Sequence, residues 1–154
     1  MQLWARDVDV HELNDKARGT LNEILGIEIT SFTEQSLIGR MPVNEHTVQP
    51  AGVLHGGASV AFAETLASWA GSLAVDVTRF HVVGQEINAN HLRAGSAGQW
   101  VHGVASPIHV GRKTHVWEIR ISNEEGKLVC ISRCTLAVLE TPGQYTRAEE
   151  RNGA

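Results

Sequence analysis

A chain of 154 residues with 42% apolar and 19% charged content has room for one domain with a full hydrophobic core. Its net charge of −4 leaves no electrostatic footprint for nucleic acid or an anionic membrane. No N-terminal stretch joins basic residues to an apolar run, so a secretory signal is not expected. The longest apolar segment carries Glu64 among small residues, which makes a poor membrane span. Cys130 and Cys134 lie four apart in an expected strand, roughly 13 Å from each other on one face. That is too far for a disulfide. Two thiols used as small core residues suit a reducing cytoplasm.

In chain order, Asp9 with Glu12 three residues on resembles a capping box. Leu13, Ala17, Leu21 and Leu25 recur at four-residue spacing, which predicts one amphipathic helix from Asp9 to Leu25, ending at Gly26. Ile27 to Phe32 and Leu37 to Val43 read as strands joined by the turn Thr33-Glu34-Gln35-Ser36. A loop from Asn44 to Gly52 holds Gln49 and leads through His55-Gly56-Gly57 into a long Ala- and Leu-rich helix reaching Val75. His81 to Arg93 reads as a strand with Gln85, Ile87, Ala89 and His91 on one face. Trp100 to Val110 is a further strand, interrupted at Ser106-Pro107. Thr114 to Ser122 and Leu128 to Leu139 pair as a hairpin, and residues 141–154 form a polar, frayed tail. The expected architecture over 1–154 is a single α+β domain, an antiparallel sheet wrapped around one central helix. That helix needs a second cover, and a two-fold copy of the chain is the natural one.

A helix that is apolar on nearly every face is a buried helix, so its one charged residue needs an explanation. Glu64, with Ser68 one turn on, fits a general base or nucleophile acting on a carbonyl; a glutamate at an exposed helix edge is the plain alternative. His55 and the N–H of Gly56 or Gly57 fit an oxyanion hole, although a loop histidine bonded to backbone gives the same pattern. Glu64 lies roughly 10 Å along the axis from Gly57. That exceeds the reach of a glutamate, so the spacing favours a site shared between antiparallel helices of two subunits. His91 is placed to hold water. His109, Gly111, Arg112 and Arg93 offer donors for phosphate groups. A zinc site from His55, Glu64 and His91 has no ligand-spacing signature, so no metal is expected.

The motifs Met41-Pro42-Val43, Gln49-Pro50, Leu54-His55-Gly56-Gly57-Ala58-Ser59, Ala63-Glu64, Val82-Val83-Gly84, Glu86-Ile87-Asn88-Ala89-Asn90-His91 and Pro107-Ile108-His109-Val110-Gly111 occur in this order across most of the chain. In them the sequence resembles the hotdog-fold acyl-CoA thioesterases of the phenylacetate/4-hydroxybenzoyl-CoA group. Within that group it is similar to the 1,4-dihydroxy-2-naphthoyl-CoA and enterobactin-proofreading thioesterases. The resemblance implies hydrolysis of an acyl- or aroyl-CoA thioester, without cofactor beyond the coenzyme A of the substrate itself. It implies Glu64 as the catalytic carboxylate, with Gln49, His55 and the Gly56 N–H polarising the carbonyl. Ser68 and His91 would position water, and Thr65 would contribute to the pocket. Val83, Gly84, Arg93, His109, Gly111 and Arg112 would lie along the coenzyme A path. It also implies a homo-oligomer, a dimer of dimers, with an acyl or aryl carrier protein as a possible second source of substrate. Trp69 is bulkier than the residue expected beside Ser68 and would narrow the acyl pocket. A hotdog-type hydratase or dehydratase, or an acyl-CoA binding module without chemistry, are the alternatives. The double glycine after His55 and the intact Gln49, His55, Glu64 and Ser68 set favour hydrolysis over both.

Overall fold

A computed structural model describes residues 3–142, so nearly all of the expected tail lies outside the described residues. The elements are α1 (Val10–Lys16), α2 (Leu21–Ile24), β1 (Glu28–Phe32), β2 (Leu37–Pro42), α3 (Gly56–Leu73), β3 (Phe80–His91), β4 (Trp100–Val110), β5 (Thr114–Asn123) and β6 (Leu128–Glu140). All six strands join one antiparallel sheet in the order β1-β2-β4-β5-β6-β3. The helix α3 packs across five of them, from β2 to β3. This is the α+β arrangement expected from the sequence.

The sheet admits α3 closely because β2 and β4 present glycines to it. Gly39 and Gly103 are register partners in adjacent strands. A Cβ on Gly103 would sit 2.5 Å from Leu66 Cδ1 and 2.8 Å from Phe62 Cζ, and one on Gly39 would sit 2.9 Å from Leu66 Cδ2. Phe62 and Leu66 therefore press onto bare backbone, and both are fully buried. From the other side, Trp4 donates through Nε1 to the Thr33 carbonyl at 2.8 Å and stacks on buried Trp117. The N-terminal segment thus closes the core.

Three expectations need correction. The single helix over Asp9–Leu25 is two short ones. Asp9 caps α1 by accepting from the N–H groups of His11 and Glu12, but Glu12 pairs with Lys16 and Arg6 and does not complete a capping box. The chain turns at Gly19, whose φ of +73° suits glycine, and Thr20 caps α2 afresh. Leu21 therefore leaves the apolar row of Leu13, Ala17 and Leu25 and is 59% exposed. Second, β4 runs unbroken through Ser106-Pro107 and absorbs the irregularity as a register shift between Pro107 and His109. Third, β3 shifts register between Gly84 and Glu86, so Gln85 is an extra residue. Ile87 and Ala89 pack on the core as expected, but Gln85 drops out of their row.

The two sheet edges differ. At the β1 edge, Asn14 acts as a strand surrogate: its amide donates to the Ile29 carbonyl and accepts from the Ile29 N–H, both at 2.8 Å. At the other edge, β3 has no strand beyond it among the described residues. No helix among the described residues is long and apolar enough to cross a membrane.

Gly103→Ala is expected to lower stability by about 1–3 kcal/mol, because the added methyl overpacks the α3 contact. Urea unfolding followed by circular dichroism checks this, and an unmoved midpoint would contradict the close-approach account.

Candidate active site

The loop before α3 and the start of the helix form one unit. Buried Thr47 ties it together: its hydroxyl donates to the Pro42 carbonyl at 2.8 Å, and its own carbonyl accepts from the His55 N–H at 2.8 Å. Within this loop the Gln49 side-chain oxygen accepts from the Ala51 N–H. Its amide nitrogen is the group left to donate outward. His55 is the N-cap of α3, and its Nδ1 accepts from the Gly57 N–H at 2.8 Å. An accepting Nδ1 puts the proton of the neutral imidazole on Nε2, on an exposed side chain. The N–H groups of Ala58 and Ser59 turn to the His55 carbonyl. Of the first-turn donors, only the Gly56 N–H has no partner among the described residues. The residue pattern alone leaves Gly56 and Gly57 open and the family resemblance points to Gly56; the helix cap leaves Gly56 as the unpartnered donor.

Gly56 is glycine for a packing reason as well. A Cβ there would lie 2.9 Å from His91 Nε2, so the imidazole sits directly on this residue. Gln49, Gly56, Ser59, His91 and Arg93 line a common cavity of about 430 Å³. Arg93 is half committed to structure, since Nη1 donates to the Leu128 carbonyl at 2.9 Å.

Glu64 sits elsewhere. It is half-buried in a second cavity of about 410 Å³ with Ala61, Thr65, Ser68, Trp69, Leu21 and Asn22. Its carboxylate has neither an ion-pair nor a hydrogen-bond partner among the described residues. Oε1 lies 2.5 Å from where a Cβ on Gly84 would be, so a side chain at this place in the β3 bulge would displace the carboxylate from its present position. The nearby Cys134 thiol is pushed up to about 12, first by burial and then by the charges of Glu64 and Glu86. That thiol is no proton donor to the carboxylate. Ser68 and Trp69 fall beside Glu64 as expected; His91 falls with Gly56.

A third cavity, about 1000 Å³, opens at the far end of α3. Gly111 and Arg112 line it together with Arg79 and Lys113, and Asp76 and Glu140 are the acids on the same wall. The remaining residues of the expected coenzyme A path scatter: His109 packs against Gly111 with Nε2 2.5 Å from its would-be Cβ, and Val83 is exposed on edge strand β3. Leu21, Asn22, Arg79 and Lys113 were not singled out in the sequence. Their placement comes from the chain turn at Gly19 and from the folding of distant segments onto α3, which no local pattern announces. Among the described residues no three His, Cys, Asp or Glu side chains cluster closely enough to hold a metal ion.

A six-stranded antiparallel sheet with one long helix against it is the hotdog architecture. The sequence family described as the Thioesterase superfamily matches residues 51–130. The chain is 48% identical over 137 residues to the proofreading thioesterase EntH of Cronobacter turicensis, covering 89% of this chain and 98% of that one. It is 42% identical over 137 residues to the 1,4-dihydroxy-2-naphthoyl-CoA hydrolase of Escherichia coli, covering 89% and 99%. Among solved structures, thioesterase HI1161 from Haemophilus influenzae superposes with a TM-score of 0.88 at 45% identity, covering 93% and 99%. A mutant of thioesterase PA1618 from Pseudomonas aeruginosa gives 0.88 at 46%, covering 90% and 99%. The chain belongs to the thioesterase superfamily. It is accordingly a thioester hydrolase, which sets the hydratase and binding-module readings aside.

Two outcomes test this description. Burial raises both thiols, so native protein is expected to be silent toward a thiol-reactive dye and to show its two cysteines only after denaturation. A fast native reaction would contradict the placement of β6. His115 is buried with an unpartnered Nδ1, and burial followed by the His109 charge holds its pKa below the ordinary value. Below about pH 6.5 the unfolded chain takes up a proton that folded His115 refuses, so stability falls as pH drops. Urea midpoints between about pH 7.5 and pH 5.5 should fall less in His115→Gln than in wild type.

Proposed function

We propose that the protein hydrolyses an acyl- or aroyl-CoA thioester at a site built by two copies of the chain, with Glu64 as the catalytic carboxylate. The observation that carries this is the division of labour on α3. Gln49 and Gly56 line a cavity at its start, with the exposed N-cap His55 next to Gly56 in the chain, whereas the unpaired Glu64 occupies a separate cavity two turns along. A carbonyl bound at the first must lie within about 3–3.5 Å of its attacking atom. An antiparallel second α3 brings the partner's cavity to the donors. Edge strand β3 runs beside α3 and leaves its outer hydrogen-bonding groups open to a two-fold copy.

In this arrangement the donors take up charge as the thioester carbonyl becomes an oxyanion. Acting as base, Glu64 accepts a proton from the water that adds to the carbonyl carbon. The tetrahedral intermediate then collapses, the C–S bond breaks, and the thiolate leaves to be protonated. Acting as nucleophile, Glu64 attacks the carbonyl carbon and expels the thiolate to form a mixed anhydride; water then adds to the Glu64 carboxyl carbon, which releases the same carboxylate and regenerates Glu64. Ser68, one turn on from Glu64, and His91, against Gly56, are placed to orient that water. Water is the only co-reactant, so the reaction calls for no metal or organic cofactor. The cations Arg79, Arg112 and Lys113 about the third cavity suit the phosphates of coenzyme A, and Trp69 bounds the acyl group. Two free, buried cysteines suit a cytoplasmic protein. A dimer of dimers would follow from pairing two such dimers, and a carrier-protein thioester would present the same carbonyl.

Glu64→Ala should lower kcat on an acyl-CoA by about three orders of magnitude or more, measured as thiol release; retained turnover would remove the assignment. Mixing unfolded Glu64→Ala and His55→Ala chains and refolding them together should restore about a quarter of wild-type activity, since half the dimers then hold one intact site of two. No restoration would mean that each site is built within one chain. Single turnover in oxygen-labelled water separates the two roles, because only the anhydride route leaves label in Glu64.

A further inference from the structure

The second cavity has a polar group that hydrolysis itself does not require. Asn22 belongs to α2, and its backbone is fixed at both ends: its N–H donates to Thr20 Oγ1 at 3.3 Å, and its carbonyl accepts from the Ile27 N–H at 2.9 Å. The side chain reaches α3, where Oδ1 and Thr65 Oγ1 are 3.1 Å apart. Thr65 Oγ1 also lies 2.8 Å from the Ala61 carbonyl. A hydroxyl has a single proton, and the shorter contact takes it. Two oxygens would then face each other across the Asn22–Thr65 contact. The two ends of an amide have the same shape, so the hydrogen-bond network decides which end goes where. Turned over, the amide donates from Nδ2 to the Thr65 lone pair, and both groups are satisfied. Oδ1 is then an unengaged acceptor on the wall of a cavity whose other sides are Leu21, Ala61 and Trp69, with Glu64 and Ser68 at its reacting end.

From this we infer that Asn22 is a specificity-determining residue, which reads a hydroxyl on the acyl part of the thioester, away from the carbonyl. The inference rests on the hydrolase reading and deepens it. A hydroxyl satisfies Oδ1; a hydrocarbon acyl group covers it and leaves it without a partner. A carbonyl or carboxylate on the substrate would set acceptor against acceptor. Asn22 touches the acyl group and not the reacting atoms, so its effect falls on the choice between substrates.

The test uses full-length protein with benzoyl-CoA and the three ring isomers of hydroxybenzoyl-CoA, followed by thiol release. For wild type, kcat/KM for one hydroxylated isomer should exceed that for benzoyl-CoA by about fivefold to tenfold. Asn22→Ala should bring this ratio close to one; a ratio cancels any general loss of folded enzyme. Asn22→Asp keeps an acceptor oxygen and should preserve the preference. A preference unmoved by Asn22→Ala, one lost as fully in Asn22→Asp as in Asn22→Ala, or no preference in wild type overturns the assignment to Asn22 alone. Wild type that releases thiol only from an aliphatic acyl-CoA run alongside overturns this inference alone, and release from none of the esters, the aliphatic one included, overturns the hydrolase reading and this inference with it.

Discussion

A rigid helix cannot bring its own first turn to a side chain two turns along, and that constraint shapes the whole site. Beyond its capped first turn the backbone of α3 is committed to the helical ladder, so the separation between Gly56 and Glu64 is fixed by helical rise. The helix is also fixed against the sheet. Phe62 and Leu66 rest on the Gly39–Gly103 pair, and those two residues flank Glu64 in sequence. Any tilt of α3 sufficient to close the gap would drive an aromatic ring or a Leu methyl into the backbone of β2 or β4. Holding the two halves apart within one chain is therefore the cost of a helix packed this closely, and the proposed two-fold copy would rejoin them.

The same packing controls the electrostatics around Glu64. The carboxylate lies against Gly84, at the place where β3 gains a residue, and the facing β6 offers Cys134, a thiol that burial keeps protonated. No cation among the described residues pairs with it. An unpaired carboxylate in a half-buried cavity keeps its lone pairs for an incoming group, whereas a salt bridge would have spent them. At the other end, His55 accepts through Nδ1 from the helix it caps. A structural requirement, satisfying an orphan N–H, thereby sets the tautomer that makes Nε2–H a donor. Helix capping and the proposed carbonyl polarisation would share one hydrogen-bond arrangement.

What the sequence made legible follows from how local each cause is. The buried α3 with one acid, the glycine-led helix start and the β5–β6 hairpin are short-range patterns, and the structure has them where the sequence placed them. The expectation that Glu64 and His55 do not converge within one chain needed only the rise per residue. The misses have longer-range causes. Leu21 fits an apolar four-residue spacing with Leu13, Ala17 and Leu25, yet Gly19 adopts positive φ and restarts the helix at Thr20, which turns Leu21 outward. Gln85 fits a two-residue alternation until one extra residue enters β3. The choice of Gly56 over Gly57 depends on a side-chain cap that no spacing rule contains.

The first two of these misses bear on the proposed site, because both adjoin the Glu64 cavity. The restart of the chain at Thr20 is what sends Leu21 and Asn22 over the Glu64 cavity, and the β3 bulge is what lets the carboxylate lie against Gly84. The elements that hold the reacting groups, α3 and the strands beneath it, are constrained by close packing on two sides and tolerate little change. By contrast α2 is a single exposed turn, with Leu21 and Ile24 facing outward and only backbone bonds and the Thr65 contact fixing Asn22. A substitution in α2 alters the wall of the Glu64 cavity and leaves the loop before α3 and Glu64 itself in place. On the proposed reading, chemistry and acyl selection lie on separate elements of the same chain, the first on a helix fixed by close packing and the second on a turn that can be rewritten at small cost in stability.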